Sequence, residues 1–213
     1  MTPSFRVWLI AAAVSGLLAL VAVYVPARLL RLLEIPRPKN GWYICMALGM
    51  IVAGAVANLV AGPIGAVQAA AFSLLAGAAV AIGFYDSAYL IIPDVFSAAL
   101  ALSAVLIWLS GAGAPSFGGA ALCAGLLAAV AWLWRRTKGQ EGLGQGDVKL
   151  AGALGLMLGV QGGLWMVTAA ASSGALWGLV MSRLNPDRSI PLIPFGLFLA
   201  VCGTVMIVAG AGS

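Results

Sequence analysis

Residues 64–86 read IGAVQAAAFSLLAGAAVAIGFYD, and this stretch decides the fold. From Ile64 to Tyr85 it contains no charged residue, so it is long enough to cross the hydrocarbon core of a bilayer as one helix. The run ends on Asp86, and no basic residue lies nearby in sequence to neutralise that acid. Because an ionisable group at membrane depth is costly, Asp86 is a candidate functional residue from the outset.

The rest of the chain has the same apolar character. Of its 213 residues, 63% are hydrophobic and 8% are charged, and the mean hydropathy is +1.09. A soluble domain has roughly a quarter of its residues charged. The apolar runs are long and do not alternate with polar residues, so they predict helices rather than barrel strands. The expected fold is therefore all-α, a polytopic transmembrane helix bundle that forms one domain over residues 1–213.

The runs predict about eight apolar segments. The first is too long for the core of a signal peptide, so we interpret it as a retained span. The sixth is too short to cross a standard bilayer upright, and residues 161–163 are expected to turn between it and the seventh. The segments are residues 7–25, 42–61, 64–85, 93–109, 117–134, 150–160, 164–181 and 190–211.

Basic residues occur in alternate loops, which predicts the orientation of the chain. These loops are expected to face the cytoplasm, with a short basic connection at residues 26–41 and a non-cytoplasmic N-terminus. All six acids then lie at the cytoplasmic face. Such basic loops indicate topology and contact with anionic lipid, not nucleic acid. The basic residues are Arg28, Arg31, Arg37, Lys39, Arg135, Arg136, Lys138, Lys149, Arg183 and Arg188, and Arg6 alone falls on the opposite side.

The chain contains no histidine, which excludes histidine bases and histidine-ligated metals. Its three cysteines, Cys45, Cys123 and Cys202, lie in apolar runs without a CxxC pair and are expected to be small buried residues. We therefore expect neither a metal nor another cofactor. Acid–base chemistry near neutral pH is left to carboxylates, which are Glu34, Asp86, Asp94, Glu141, Asp147 and Asp187.

Residues 142–152 read GLGQGDVKLAG and place Asp147 at the start of an apolar run. An Asp at a helix start caps free backbone N–H groups, which is one interpretation. The other is functional, because Gly144 and Gly146 allow close backbone packing around an exposed acid. Lys149 either anchors the chain at the interface or tunes Asp147.

Asp86 and Asp94 complete the candidate set at the same membrane face. Asp94 follows Pro93 at the opening of a span, so helix capping is the expected role of Asp94. If Asp86 and Asp147 approach each other, they cannot both ionise cheaply and will share a proton. One can then take a proton from water while the other gives one to a carbonyl oxygen. The sequence alone does not bring the two acids together.

Three motifs resemble the type IV prepilin peptidase family, which are polytopic aspartic proteases of bacterial membranes. GQGDVKL matches the family's GxGD-x-K-L motif, and DSAYLIIPD matches its Asp followed after six residues by Pro and then Asn or Asp. IPLIPFGLFLA resembles the Ile-Pro-Phe-Gly stretch that opens the family's last span, although Leu197 stands where a second proline is common. The prepilin-peptidase-like core covers residues 64–200.

The resemblance implies that Asp86 and Asp147 are the catalytic pair, supported by Gly144, Gly146, Lys149, Pro93 and Asp94. It also implies a substrate, namely a prepilin or pseudopilin of a type IV pilus or type II secretion system. Such a precursor has a basic cytoplasmic leader before a hydrophobic helix. The implied location is the bacterial cytoplasmic membrane, with a multi-pass chain and an active site on the cytoplasmic side.

One departure from the family concerns its second activity, the N-methylation of the new N-terminus. Long members carry a cytoplasmic domain, often with four zinc-binding cysteines, between their first two spans, and it is linked to N-methylation. Here residues 26–41 contain no cysteine, so we expect methyltransferase activity to be absent or compromised. Two other functions stay open: a small proton-coupled transporter and a non-catalytic scaffold for pilus assembly.

Overall fold

The computed structural model describes residues 40–61, 65–140, 142–184 and 193–211. The predicted first span, all but the last two residues of the basic connection, the Gly62-Pro63 turn, and Glu34, Glu141 and Asp187 lie outside the described residues. Six helices form the described part of the chain, which is all-α. They are α1 (Asn40–Ala61), α2 (Ala66–Tyr89), α3 (Asp94–Leu109), α4 (Phe117–Lys138), α5 (Gln145–Leu184) and α6 (Phe195–Ala211).

Three of these helices are long and apolar enough to cross a membrane, namely α2, α4 and α5. Shorter apolar helices cover Ile44–Ala57, Asp94–Leu109 and Phe195–Gly210. The prediction of a helical transmembrane bundle is thus confirmed at the level of helices and their apolar character. The total of about eight segments and the outward N-terminus stay predictions.

The structure corrects the turn predicted at residues 161–163. Those residues are helical, and the sixth and seventh predicted segments run together as α5. The break falls instead at Gly159, whose φ of 72° and ψ of −173° are not helical. A side chain is strained at that φ, which is why the break occurs at a glycine.

Helix α2 is the central element of the bundle. It packs against α1, α3 and α6, and buried residues lie around most of its circumference, from Phe72 to Tyr85. Of the most apolar stretch of α2, 67% is buried, against 22% for α4, which packs on α5 at the edge. Asp86 therefore lies in the last turn of the most buried of the three candidate spans, and that packing fixes its backbone position.

Helices α4 and α5 approach each other at glycines. A Cβ on Gly155 would lie 2.6 Å from the carbonyl oxygen of Gly119, so only a hydrogen fits there. Close approach through small residues is typical of helix pairs in membranes. Ser116 fixes the register, because its N–H donates to Leu156 O at 2.8 Å and its hydroxyl accepts from Gly119 N–H at 3.1 Å. This crossing holds the first half of α5, and with it Asp147, in place.

Candidate active site

Asp86 lies in the last turn of α2 and is buried, with 5% of its surface exposed. The helix ends at Leu90, which adopts the left-handed conformation with φ 55° and ψ 35°. The Leu90 N–H donates to the backbone oxygen of Asp86 at 2.9 Å. The turn that carries Asp86 is thus closed by the residue that redirects the chain towards α3.

The carboxylate of Asp86 is held by a distant part of the chain. Its Oδ2 accepts a hydrogen bond from the Leu197 N–H at 2.9 Å, and the Gly196 N–H also donates to this carboxylate. Both donors belong to the first turn of α6, where backbone N–H groups have no partner within the helix. Asp86 therefore serves as the cap of α6, and the positive end of the α6 dipole stabilises negative charge on it.

Asp147 lies in the first turn of α5 and is also buried, with 9% of its surface exposed. Its Oδ2 accepts from the Gly144 N–H at 3.2 Å, and its own N–H donates to Gly144 O at 3.2 Å. This reciprocal pair resembles a capping box, in which an acid reaches back to the residue before the helix. The other oxygen, Oδ1, is buried without a hydrogen-bond partner among the described residues.

The two acids come from different helices and act on each other electrostatically. The negative charge of Asp86 acts on the carboxyl group of Asp147. The fold therefore brings the two carboxyl groups close enough for a charge–charge interaction. Tyr85, the residue before Asp86, is buried, and its ring is tilted against that of Phe96 with 5.7 Å between the ring centroids.

The segment before α3 contacts both helix starts. A Cβ on Gly146 would lie 2.9 Å from the Cβ of Ile92, and a Cβ on Gly196 would overlap the Cδ1 of Ile92. Pro93, with φ −62° and ψ 132°, occupies the N-cap position of α3. Ile92 therefore packs between the glycine that precedes Asp147 and the glycine that donates to Asp86.

Asp94 and Lys149 form an ion pair rather than acting separately. The Lys149 Nζ donates to both carboxylate oxygens of Asp94, at 2.8 and 2.9 Å. The capping role predicted for Asp94 is corrected, since its carboxylate pairs with Lys149 instead. Lys149 likewise contacts Asp94 and not Asp147. The pair joins the N-terminal ends of α3 and α5, and both side chains are largely exposed.

An apolar groove opens beside Asp86, between α1, α2 and α6. Its volume is about 790 Å³, and its lining is almost entirely apolar. Gly83, Ser87 and Leu197 line its end near the acid, and Val208 lines it near the other end of α6. An apolar segment lying in this groove would have one end next to Asp86.

The structure thus brings together all seven residues singled out from the sequence, at the starts of α3 and α5 and the end of α2. Ile92, Gly196 and Leu197 are the residues of the site whose contacts the sequence did not reveal. The Ile-Pro-Phe-Gly stretch was a signal for the last two, whereas Ile92 stands in an ordinary apolar run. Among the described residues, no three His, Cys, Asp or Glu side chains lie close enough together to bind a metal ion.

Comparison with known proteins gives a consistent result. The sequence model of the type IV leader peptidase family matches residues 72–179, which include both acids and about half of the chain. A protein from Burkholderia pseudomallei (strain 1026b) named prepilin leader peptidase/N-methyltransferase is 35% identical over 174 residues, covering 78% of this chain and 53% of its own. A protein of the same name from Pseudomonas aeruginosa is 35% identical over 158 residues, covering 67% and 50%.

A third relative of that name, from Xanthomonas campestris, is 39% identical over 93 residues, covering 43% of this chain and 32% of its own. The chain spans about half the length of the curated relatives it matches most extensively. No solved structure matches the chain.

Proposed function

Because the chain belongs to the type IV leader peptidase family, we propose that it is a membrane aspartic endopeptidase that removes the leader from prepilins or pseudopilins. The substrate is a precursor with a basic leader and a hydrophobic helix, and the cut falls at the cytoplasmic face of the bacterial inner membrane. The observation that supports this proposal best is the pair of buried acids, Asp86 and Asp147, carried to one place by two helices.

In this proposal the two acids have different tasks. Asp86 carries the negative charge, because two backbone N–H groups of α6 donate to its carboxylate. Asp147 carries the shared proton, because one of its oxygens has no hydrogen-bond donor among the described residues. Two carboxyl groups whose surroundings differ in this way divide the roles of base and acid.

The reaction follows from that division. Asp86 takes a proton from a water molecule, and the oxygen of that water attacks the scissile carbonyl carbon. At the same time Asp147 gives its proton to the carbonyl oxygen. The resulting tetrahedral intermediate collapses when the C–N bond breaks. The proton held on Asp86 passes to the leaving nitrogen, and a hydroxyl proton of the intermediate returns to Asp147, which restores the starting state.

Methyl transfer is not part of the proposed activity. The relatives carry N-methyltransferase in their names, but the connection at residues 26–41 of this chain has no cysteine with which to build a zinc-binding domain. We propose that the chain cuts precursors and leaves the new N-terminus unmethylated.

Co-expression with a candidate prepilin tests the cleavage, and leader removal is read on a gel. Wild type is expected to cut, whereas Asp86→Asn and Asp147→Asn are expected to lose cleavage, since Asn cannot exchange the proton. Asp94→Asn is expected to keep most of the activity, because the Lys149 contact of Asp94 is exposed. An uncut precursor with wild type, or normal cutting by either of the first two variants, would refute the proposal.

A further inference from the structure

Ile92 lies between the two helix starts that hold the acids. It belongs to the short connection between α2 and α3, just before Pro93. The Cβ of Ile92 would lie 2.9 Å from a Cβ on Gly146, and its Cγ1 would lie 3.1 Å from a Cβ on Gly196. One isoleucine side chain therefore contacts the backbone of both α5 and α6.

Each of these helix starts controls one acid. Gly146 directly precedes Asp147, and Gly196 and Leu197 donate to the carboxylate of Asp86. Protein interiors are close-packed, so two backbones that meet the same side chain are separated by its thickness. The size of Ile92 consequently sets how closely the start of α5, which bears Asp147, can approach the start of α6, which donates to Asp86.

The path of the chain fixes Ile92 itself. Leu90 turns the chain with its left-handed conformation and donates its N–H to Asp86 O. Pro93 follows Ile92 with a locked φ, and Asp94 is joined to Lys149 of α5. The left-handed turn at Leu90 and the fixed φ of Pro93 thus restrict the backbone of Ile92 on both sides.

We propose that Ile92 is a positioning residue, a spacer that fixes the separation of Asp86 and Asp147 so that both reach one water molecule. The inference rests on the proposed proteolytic function. Ile92 takes no proton and has no chemical role of its own. Its action is steric and passes through the starts of α5 and α6.

Truncation of the spacer tests the proposal through the split between kcat and KM. Ile92→Ala is expected to lower kcat by about 10- to 100-fold, because a shift of about 1 Å in a reacting group has an effect of that size. KM for the precursor is expected to stay within about threefold, since binding of the substrate is spread over a larger surface. Ile92→Val, which keeps Cγ1 and loses only Cδ1, is expected to retain most of kcat.

Ile107→Ala is the matched control. Ile107 is a half-buried isoleucine at the other end of α3, away from both acids. The substitution removes the same side-chain atoms as Ile92→Ala does. Its kcat is expected to stay near that of wild type. Wild-type kcat for Ile92→Ala, or an equal loss for Ile107→Ala, would overturn the positioning role while leaving the proposed function intact.

A compensating pair gives a sharper test. Gly196→Ala is expected to lose activity, because its new methyl group overlaps the Cδ1 of Ile92 and also lies 3.1 Å from the Asp86 Oδ2. Ile92→Val removes that atom, so the double variant Gly196→Ala/Ile92→Val is expected to regain part of kcat. A double variant that is as impaired as the product of the two single effects would contradict the spacer role.

A measurement without catalysis separates the inference from the proposed function. In a chain whose Cys45, Cys123 and Cys202 are replaced, Asp86→Cys and Asp147→Cys are cross-linked with thiol reagents of graded length. One preferred length is expected with Ile92, and a different or broader preference is expected after Ile92→Ala. An unchanged preference overturns the spacer, whether or not wild type cuts a precursor, whereas failure of wild type to cut refutes only the protease proposal.

Discussion

At the scale of single residues, the two glycines before Asp147 differ in what surrounds them. A Cβ on Gly146 would lie 2.9 Å from the Cβ of Ile92, which is attached to the backbone and cannot rotate away. The gain in helix propensity from Gly to Ala is about 1 kcal/mol, whereas overpacking costs about 1–3 kcal/mol. We therefore expect Gly146→Ala to lower both the thermal stability in detergent and the rate of cleavage.

Gly144→Ala is the matched comparison for that prediction. A Cβ there would lie 3.3 Å from the Asp147 Oδ2 and 3.9 Å from the Gly146 nitrogen, which are tight but tolerable contacts. The N–H that donates to Asp147 is retained in alanine. We expect Gly144→Ala to be more stable and more active than Gly146→Ala, and the reverse order would mean that the packing of Ile92 does not limit this site.

At the scale of helices, the Lys149–Asp94 pair joins the N-terminal ends of α3 and α5. The side chain of Lys149 is 53% exposed and that of Asp94 is 72% exposed, so the ion pair is well solvated. Exposed pairs contribute about 0–1 kcal/mol and weaken as salt rises. A double-mutant cycle with Asp94→Asn and Lys149→Met, followed by thermal unfolding, is expected to give a coupling below about 1 kcal/mol that falls at high salt. A larger, salt-independent coupling would show that the pair is a principal tie between the helices.

Helix interiors were easier to predict than helix ends. The apolar runs around Phe72 and Leu126 predicted α2 and α4 because their length alone indicates a membrane helix. The break in α5 was misplaced because Gly159, Gly162 and Gly163 are alike in sequence, and only Gly159 adopts a positive φ. That conformation depends on the neighbouring α4, which approaches α5 here, and no local pattern reports such a contact.

At the scale of the whole molecule, the site depends on contacts between residues far apart in sequence. The motifs around Asp86 and Asp147 could be identified from the sequence because few acids exist in the chain. The donation from Leu197 to Asp86 spans 111 residues, and the dual contact of Ile92 depends on the packing of three helices. Such contacts arise from tertiary packing, which residue types and spacing do not specify.

The orientation of the chain in the membrane determines on which side a precursor would be cut. Gly142 packs on Trp134, near the basic last turn of α4, so this turn lies at the same end as Asp147. Basic residues are retained on the cytoplasmic side, so this end should face the cytoplasm and the α3–α4 loop should face outward.

Labelling of single cysteines tests this orientation in a chain whose three native cysteines are replaced. Ala112→Cys is expected to react with an impermeant maleimide in intact cells, whereas Gln140→Cys should react only after permeabilisation. The opposite pattern would place the acids outside, where the basic leader of a precursor does not lie.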